Sequence, residues 1–204
     1  MSSKAENFDR MVQEVFAPVF PVIARDFLKK SGITAGTCLD IGCGTGYMGL
    51  AMAEASDLEV TMLDCDPEML GIAQLNCRQR QLDNQVKLLE ADVHEIPFED
   101  ESVQLVVSRG SVFFWQDQAK AFREIYRVLA PGGTAFVGGG FGTPELKAQI
   151  DAEMLKRNPN WLDDLQQRIG PQAPIAFHEI LTKSDIPRFE IDYTQIGIWV
   201  IIQK

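Results

Sequence analysis

The amino-acid sequence predicts a doubly wound α/β domain, and three observations carry that prediction. Strand-like and helix-like segments alternate through most of the 204 residues, the pattern of parallel strands joined by crossover helices. A glycine-rich run, Gly42-Cys43-Gly44-Thr45-Gly46, joins one such strand to the helix that follows. The chain closes on two strand-like segments, 189–193 and 196–202, which stand too close together for a crossover and must run antiparallel.

Taken in order, Met11, Val15, Phe16, Val19, Phe20, Ile23 and Phe27 recur at helical spacing, with Pro18 and Pro21 placed to break or kink the helix. Residues 1–32 are read as a helical cap that ends at Gly32. Segments 37–41, 59–63 and 86–89 are short apolar strands, and 46–55 and 67–82 are the helices between them. A buried strand at 103–107, an amphipathic helix at 118–129, a Pro131-Gly132-Gly133 turn and a strand at 134–137 continue the alternation. From 144 to 184 the chain turns polar and helical, with breaks at Asn158-Pro159 and Gly170-Pro171, and is read as a lid over one rim of the sheet.

Composition narrows the function classes. With 46% apolar and 24% charged residues, the whole of 1–204 is expected to form one domain around one core. The 29 acidic and 19 basic residues leave a formal net charge of −10, which argues against nucleic acid or an anionic membrane as partner. Cys38, Cys43, Cys65 and Cys77 lack the spacing of a zinc site or a thiol-exchange pair, so they read as reduced thiols of a cytoplasmic protein, and no metal is expected. The longest aliphatic and aromatic run, 198–202, is too short to span a bilayer.

The chemistry gathers at strand ends. Glycines after Ile41 let backbone approach a ligand closely, and the helix that follows offers free N–H groups. By spacing alone, Gly44, Gly46 and Gly49 also match a dinucleotide fingerprint. Asp40 separates the two readings, because a carboxylate two residues before the first glycine suits a cationic amino-acid tail and disfavours a pyrophosphate. Asp64 closes the second strand, where it can accept both hydroxyls of a ribose, and Asp66-Pro67 opens the next helix. Asp92 follows the third strand and is suited to an adenine amino group. In a doubly wound sheet these three acids share one rim.

These segments resemble the class I S-adenosylmethionine-dependent methyltransferases, in the methyltransferase type 11 branch that includes quinone-biosynthesis enzymes. The marks are Asp40-Ile41-Gly42-Cys43-Gly44-Thr45-Gly46, Asp64, Asp92 ahead of Ile96-Pro97-Phe98, and Glu124 to Ala130 with Pro131-Gly132-Gly133. Ser108-Arg109-Gly110-Ser111-Val112-Phe113-Phe114-Trp115 and Gly138-Gly139-Gly140-Phe141-Gly142 resemble a small subgroup of that branch. The resemblance implies a seven-stranded Rossmann-like sheet with its last strand antiparallel, and transfer of a methyl group from S-adenosylmethionine to a small-molecule acceptor, releasing S-adenosylhomocysteine. It implies that Asp40, Gly42, Gly44 and Gly46 surround the methionine part, Asp64 the ribose, Asp92 and Val93 the adenine, and Cys65 and Met69 the purine face. Cys43, Tyr47, His94 and Ser108 complete the expected cofactor-binding set. A non-catalytic S-adenosylmethionine-binding module and an NAD-dependent oxidoreductase are the rival readings.

Two residues are the expected catalytic candidates. His94 follows the adenine acid and is the best available general base, although a loop-bonding rim residue is the plainer reading. Arg109 ends the fourth strand and is suited to grip a carboxylate or phosphate, or else to pair with Asp92 or Glu95. The acceptor is therefore expected to be small, and anionic or apolar. Phe113, Phe114 and Trp115 are read as walls of a dry pocket, His178 as a solvated helix residue, and Trp161 and Trp199 as core anchors. Ser108-Arg109-Gly110-Ser111 lacks the Asn/Asp-Pro-Pro-aromatic pattern of enzymes that methylate nucleobase amines or glutamine.

Overall fold

The computed structural model describes residues 2–204; Met1 of the expected cap lies outside the described residues. Seven strands form one sheet: β1 Ala35–Ile41, β2 Asp57–Asp64, β3 Val86–Glu90, β4 Val103–Arg109, β5 Leu129–Gly140, β6 Phe189–Thr194 and β7 Gly197–Gln203, in the order β3-β2-β1-β4-β5-β7-β6. β1 to β5 are parallel, and β7 runs antiparallel to both β5 and β6, as the closing pair of strands requires. The strand order reverses between β1 and β4, and that switch point opens the crevice at the carboxyl ends of the strands.

Eight helices surround the sheet: α1 Lys4–Met11, α2 Val19–Ser31, α3 Tyr47–Glu54, α4 Pro67–Gln79, α5 Gln118–Val128, α6 Pro144–Arg157, α7 Trp161–Ile169 and α8 Ala173–Lys183. Local chemistry sets their ends. Ser3 and Glu6 form a capping box at α1, Asp66 and Asp117 cap α4 and α5, and Thr143 precedes Pro144 at α6. Gly32, at φ 72°, ends α2 in a left-handed turn, where the sequence places the end of the cap.

Side chains alternate across the pleat, so each strand feeds two cores. Cys38 packs with α2, α3 and the N-terminal cap, while Leu39 and Ile41 face α5 and α8. On the first face Phe27 stacks on Phe136 with ring centroids 4.2 Å apart and meets Trp199 edge-on at 4.8 Å. This contact ties the cap to the centre of the sheet, and Trp199 serves as the expected core anchor.

Four expectations are corrected. In the cap the break expected at Pro18 is present, with Val12–Phe16 in a π-helical turn closed by the Ala17 N–H donating to Val12 O at 2.8 Å, but Pro21 makes no break, because it falls in the first turn of α2, where its missing N–H costs no helical bond. α4 stops at Gln79 rather than at 82, with Gln81 in a left-handed conformation just beyond it. The Pro131-Gly132-Gly133 turn lies within β5, which begins at Leu129; Val103 pairs with Leu129 and Leu105 with Thr134, so residues 130–133 bulge from the ladder. Finally, the lid segment divides. α8 buries Phe177 and Leu181 against α5 and the sheet, whereas α7 buries no residue and lines the crevice.

Phe27→Ala is expected to destabilise the fold by about 3–5 kcal/mol, the cost of removing a buried aromatic ring, measured by urea denaturation. A loss below about 1 kcal/mol would show that the cap is not held by this stack.

Candidate active site

The carboxyl ends of β1 to β5 open into a cavity of about 740 Å³. Its sheet-side rim divides in two: Asp40, Asp64 and Asp92 stand over β1, β2 and β3, while Arg109, Gly139 and Gly140 stand over β4 and β5. The N-terminal cap (Phe8, Met11, Phe16, Phe20) and the lid (Met154, Trp161, Leu165, Arg168) close it from above.

Asp40 is buried at the end of β1, and its Oδ2 accepts the Gly49 N–H at 2.7 Å. Burial pushes its carboxyl up to about 7, against the lowering effect of the Gly49 hydrogen bond and with a further rise from the nearby Asp64 charge. Gly49 admits no side chain, because a Cβ would lie 2.7 Å from Met62 Cγ and 3.0 Å from Asp40 Oδ2. Gly42, at φ 64°, lets Ser111 approach so closely that a Cβ would sit 2.3 Å from Ser111 Cβ.

Asp64 holds the glycine loop as well as the rim. Its Oδ2 accepts the Gly44 N–H at 2.7 Å and its Oδ1 the Asp66 N–H at 3.0 Å, while lone pairs on both oxygens remain for a diol. Beyond the loop, Gly46 precedes α3 and gives it no side-chain cap; in the first turn the Gly49 N–H is taken by Asp40, and those of Tyr47 and Met48, two residues that line the cavity, have no side-chain acceptor. Thr45 Oγ1, in the same loop, is the one buried side-chain oxygen without a partner among the described residues. Cys43, Tyr47, Cys65, Met69, Asp92 and Val93 line the cavity as expected. Burial first, then the nearby acids, raise the Cys43 and Cys65 thiols, so neither is a ready nucleophile.

His94 lines the cavity as a loop-bonded rim residue, its plainer reading, whereas Ser108 does not reach the lining. The His94 ring is engaged at both nitrogens, Nδ1 with Asp92 Oδ1 and Nε2 with the Asp117 N–H at 3.2 Å. With Nδ1–H donating and Nε2 accepting, the imidazole has no free lone pair for a substrate proton. The His94 backbone N–H also donates to Asp92 at 2.8 Å, and this contact leads the effects that hold the Asp92 carboxyl below its ordinary range. Ser108 is fully buried beneath the cavity, and its hydroxyl bonds Ser111 Oγ at 2.6 Å. Ser111 in turn bonds Ile41 O at 3.1 Å and is the serine that lines the cavity.

Arg109 lies on the cavity wall, but it does not pair with Asp92 or Glu95. Its Nε–H and one Nη2–H donate to Gly140 O at 3.1 and 3.0 Å, and its guanidinium lies 4.9 Å from the centroid of Phe20 and 5.6 Å from that of Phe16. Desolvation alone lowers its pKa, to about 10. The Gly138 to Gly140 run serves the fourth-strand loop: Gly138 O accepts the Gly110 N–H at 2.7 Å, and Phe113 lies against Gly139. Phe113, Phe114 and Trp115 line the cavity, Phe114 largely exposed at its mouth beneath the Arg168 guanidinium. Trp161 packs against the core beside Phe16 and Phe141 and also walls the cavity, its indole N–H donating to Asp151 at 2.8 Å, and His178 is exposed on α8 away from the cavity. The cap residues were missed because aromatic side chains at helical spacing read equally as core.

Three acids along one rim of a doubly wound sheet, behind a glycine loop, form the arrangement expected of an S-adenosylmethionine-dependent methyltransferase. Comparison with known proteins agrees. Residues 39–137 match the methyltransferase domain family Methyltransf_11. A crystal structure of an S-adenosyl-L-methionine-dependent methyltransferase from Methanococcus maripaludis superposes with a TM-score of 0.96 at 42% identity, over 100% of this chain and 97% of that one. Phosphoethanolamine N-methyltransferase 2 of Haemonchus contortus, solved with phosphomonomethylethanolamine and S-adenosylhomocysteine, has a TM-score of 0.60 at 26% identity, over 83% of this chain and 38% of that one. Among curated relatives, 2-methyl-6-phytyl-1,4-hydroquinone methyltransferase 1 of Oryza sativa is 37% identical over 102 residues, 50% of this chain and 30% of the rice protein. The chain spans about a third of the length of the first curated relatives it matches. This chain belongs to the S-adenosylmethionine-dependent methyltransferase family.

Two outcomes are expected. Asp64→Ala weakens S-adenosylhomocysteine binding about ten- to a hundredfold in calorimetry and lowers the melting temperature, because Gly44 and Asp66 lose their acceptor; unchanged affinity in a folded variant would remove Asp64 from the site. Asp40 gives a pH signature. Its folded-state pKa is raised from 3.8 to about 7, so its contribution to stability is greatest below its unfolded pKa and is lost as pH rises toward 7. Binding of a cationic ligand reverses that slope: affinity for S-adenosylmethionine rises through neutral pH with proton release, and Asp40→Asn flattens the profile.

Proposed function

We propose that this protein transfers the methyl group of S-adenosylmethionine to a small-molecule acceptor bound over β4 and β5. The observation that carries the reading is the buried Asp40 carboxylate behind the glycine loop, which suits a cationic amino-acid tail and repels the pyrophosphate of a dinucleotide. When bound, the sulfonium cofactor supplies an activated methyl group whose leaving sulfur takes the electron pair. The protein's task is then alignment and exclusion of water.

In this reading Asp40 and the α3 N–H groups hold the amino-acid part, Asp64 the ribose, and Asp92, Val93, Cys65 and Met69 the adenine. His94 acts as a clamp that fixes Asp92 against the Asp117 N–H, and it is not the base. Phe16, Phe113, Phe141 and Trp161 keep water from the transfer region. The four free cysteines fit a reducing compartment, the cytosol. Among the described residues no helix is long and apolar enough to cross a membrane.

Calorimetric titration with S-adenosylmethionine, S-adenosylhomocysteine and NAD tests the reading. Saturable binding of the first two, with no heat from NAD, is expected. Binding of NAD alone would return the chain to the oxidoreductases, and cofactor binding without turnover on acids, thiols or quinols would make it a binding module.

A further inference from the structure

The acceptor half of the cavity carries a charge that the protein does not answer. In a chain with 29 acidic residues and a net charge of −10, the part-buried Arg109 guanidinium has no ion pair among the described residues, and its protein partners are a single carbonyl oxygen and two aromatic faces. A cation drawn partly out of water is normally answered by a carboxylate. The bonds to Gly140 O use one edge of the fork, leaving both Nη1 hydrogens and the second Nη2 hydrogen. Nη1 has no protein partner and is not among the buried atoms that lack one, so it is accessible on the cavity wall.

We infer that Arg109 is the anion anchor of the acceptor subsite, and that the acceptor is a monocarboxylate with an apolar or aromatic body. The inference rests on the methyltransferase reading and specifies its substrate class. The carboxylate occupies the open edge of the guanidinium, and Phe113, Phe141 and Trp161 receive the body. Arg109 is the cation over the sheet, and Arg168 stands apart from it on the lid, beside Phe114 at the mouth. The cofactor half contributes Asp40, Asp64 and Asp92, whose combined field opposes a second negative charge and so disfavours phosphate esters. The same cation makes the site a poor host for a wholly neutral hydroquinone, which would leave Arg109 unpaired.

The test titrates protein saturated with S-adenosylhomocysteine against benzoate and 4-phenylbutyrate, their neutral amides, acetate and inorganic phosphate. At least one aryl acid is expected to bind about ten- to a hundredfold more tightly than its amide, the worth of a charge-assisted fork, with acetate and phosphate weaker still. Arg109→Met removes the acid-over-amide preference and leaves S-adenosylhomocysteine affinity unchanged, and Arg109→Lys restores part of the preference. Equal binding of acid and amide, or a preference that survives Arg109→Met, overturns the anchor. Phosphate binding as tight as the aryl acids overturns the substrate class. If Arg109→Met does not fold, the acid and amide pairs on the native protein decide. Failure of S-adenosylhomocysteine itself to bind would count against the methyltransferase reading instead.

Discussion

The hydrogen bond from the Gly49 N–H to the buried Asp40 carboxylate is the contact on which the site depends. It joins the end of β1 to the first turn of α3, and the glycine loop between them is held from the other side by Asp64 through the Gly44 N–H. The pair leaves little freedom of sequence. Gly49 needs hydrogen in place of a side chain to bring its N–H against Asp40, and Gly42 needs the same to admit Ser111. A carboxyl raised to about 7 by burial costs stability when ionised.

Electrostatics then divide the rim of the sheet. Acids stand over β1 to β3 and a lone arginine over β4, with the topological switch point between them. Asp40 is buried and Arg109 part-buried, so each half holds one charge partly withdrawn from water. Arg127 is answered differently. Arg127 bonds Glu124, Asp100 and the Ile96 and Phe98 carbonyls, a network that pins the loop following Asp92 and His94 and raises the Arg127 pKa. The contrast between Arg127 and Arg109 is what gives the second its meaning.

Much of this was legible in the sequence, because periodicity and glycine spacing report backbone directly. The alternation of elements, the glycine turn, the antiparallel closing pair and the three rim acids all follow from spacing of 2 or 3.6 residues and from one strand-end rule. What escaped depends on side-chain direction and on partners distant in the chain. Ser108 and Arg109 are neighbours that the pleat sends to opposite sides, one beneath the floor and one into the cavity. The second partner of His94 is a backbone N–H at position 117, which no local pattern reveals. The Pro131-Gly132-Gly133 signal is a correct mark of irregular backbone, absorbed here as a bulge because the strand resumes its pairing at Thr134.

The N-terminal cap serves both the core and the cavity. Phe27 packs on Phe136 and Trp199 in the core, while Phe16 and Phe20, earlier in the chain, bring their rings to the guanidinium of Arg109. The cation therefore gains two aromatic faces, which attract it through their quadrupoles without neutralising its charge. A carboxylate from the protein at either position would have quenched it. The cap thus holds the arginine in place while leaving its charge for a ligand.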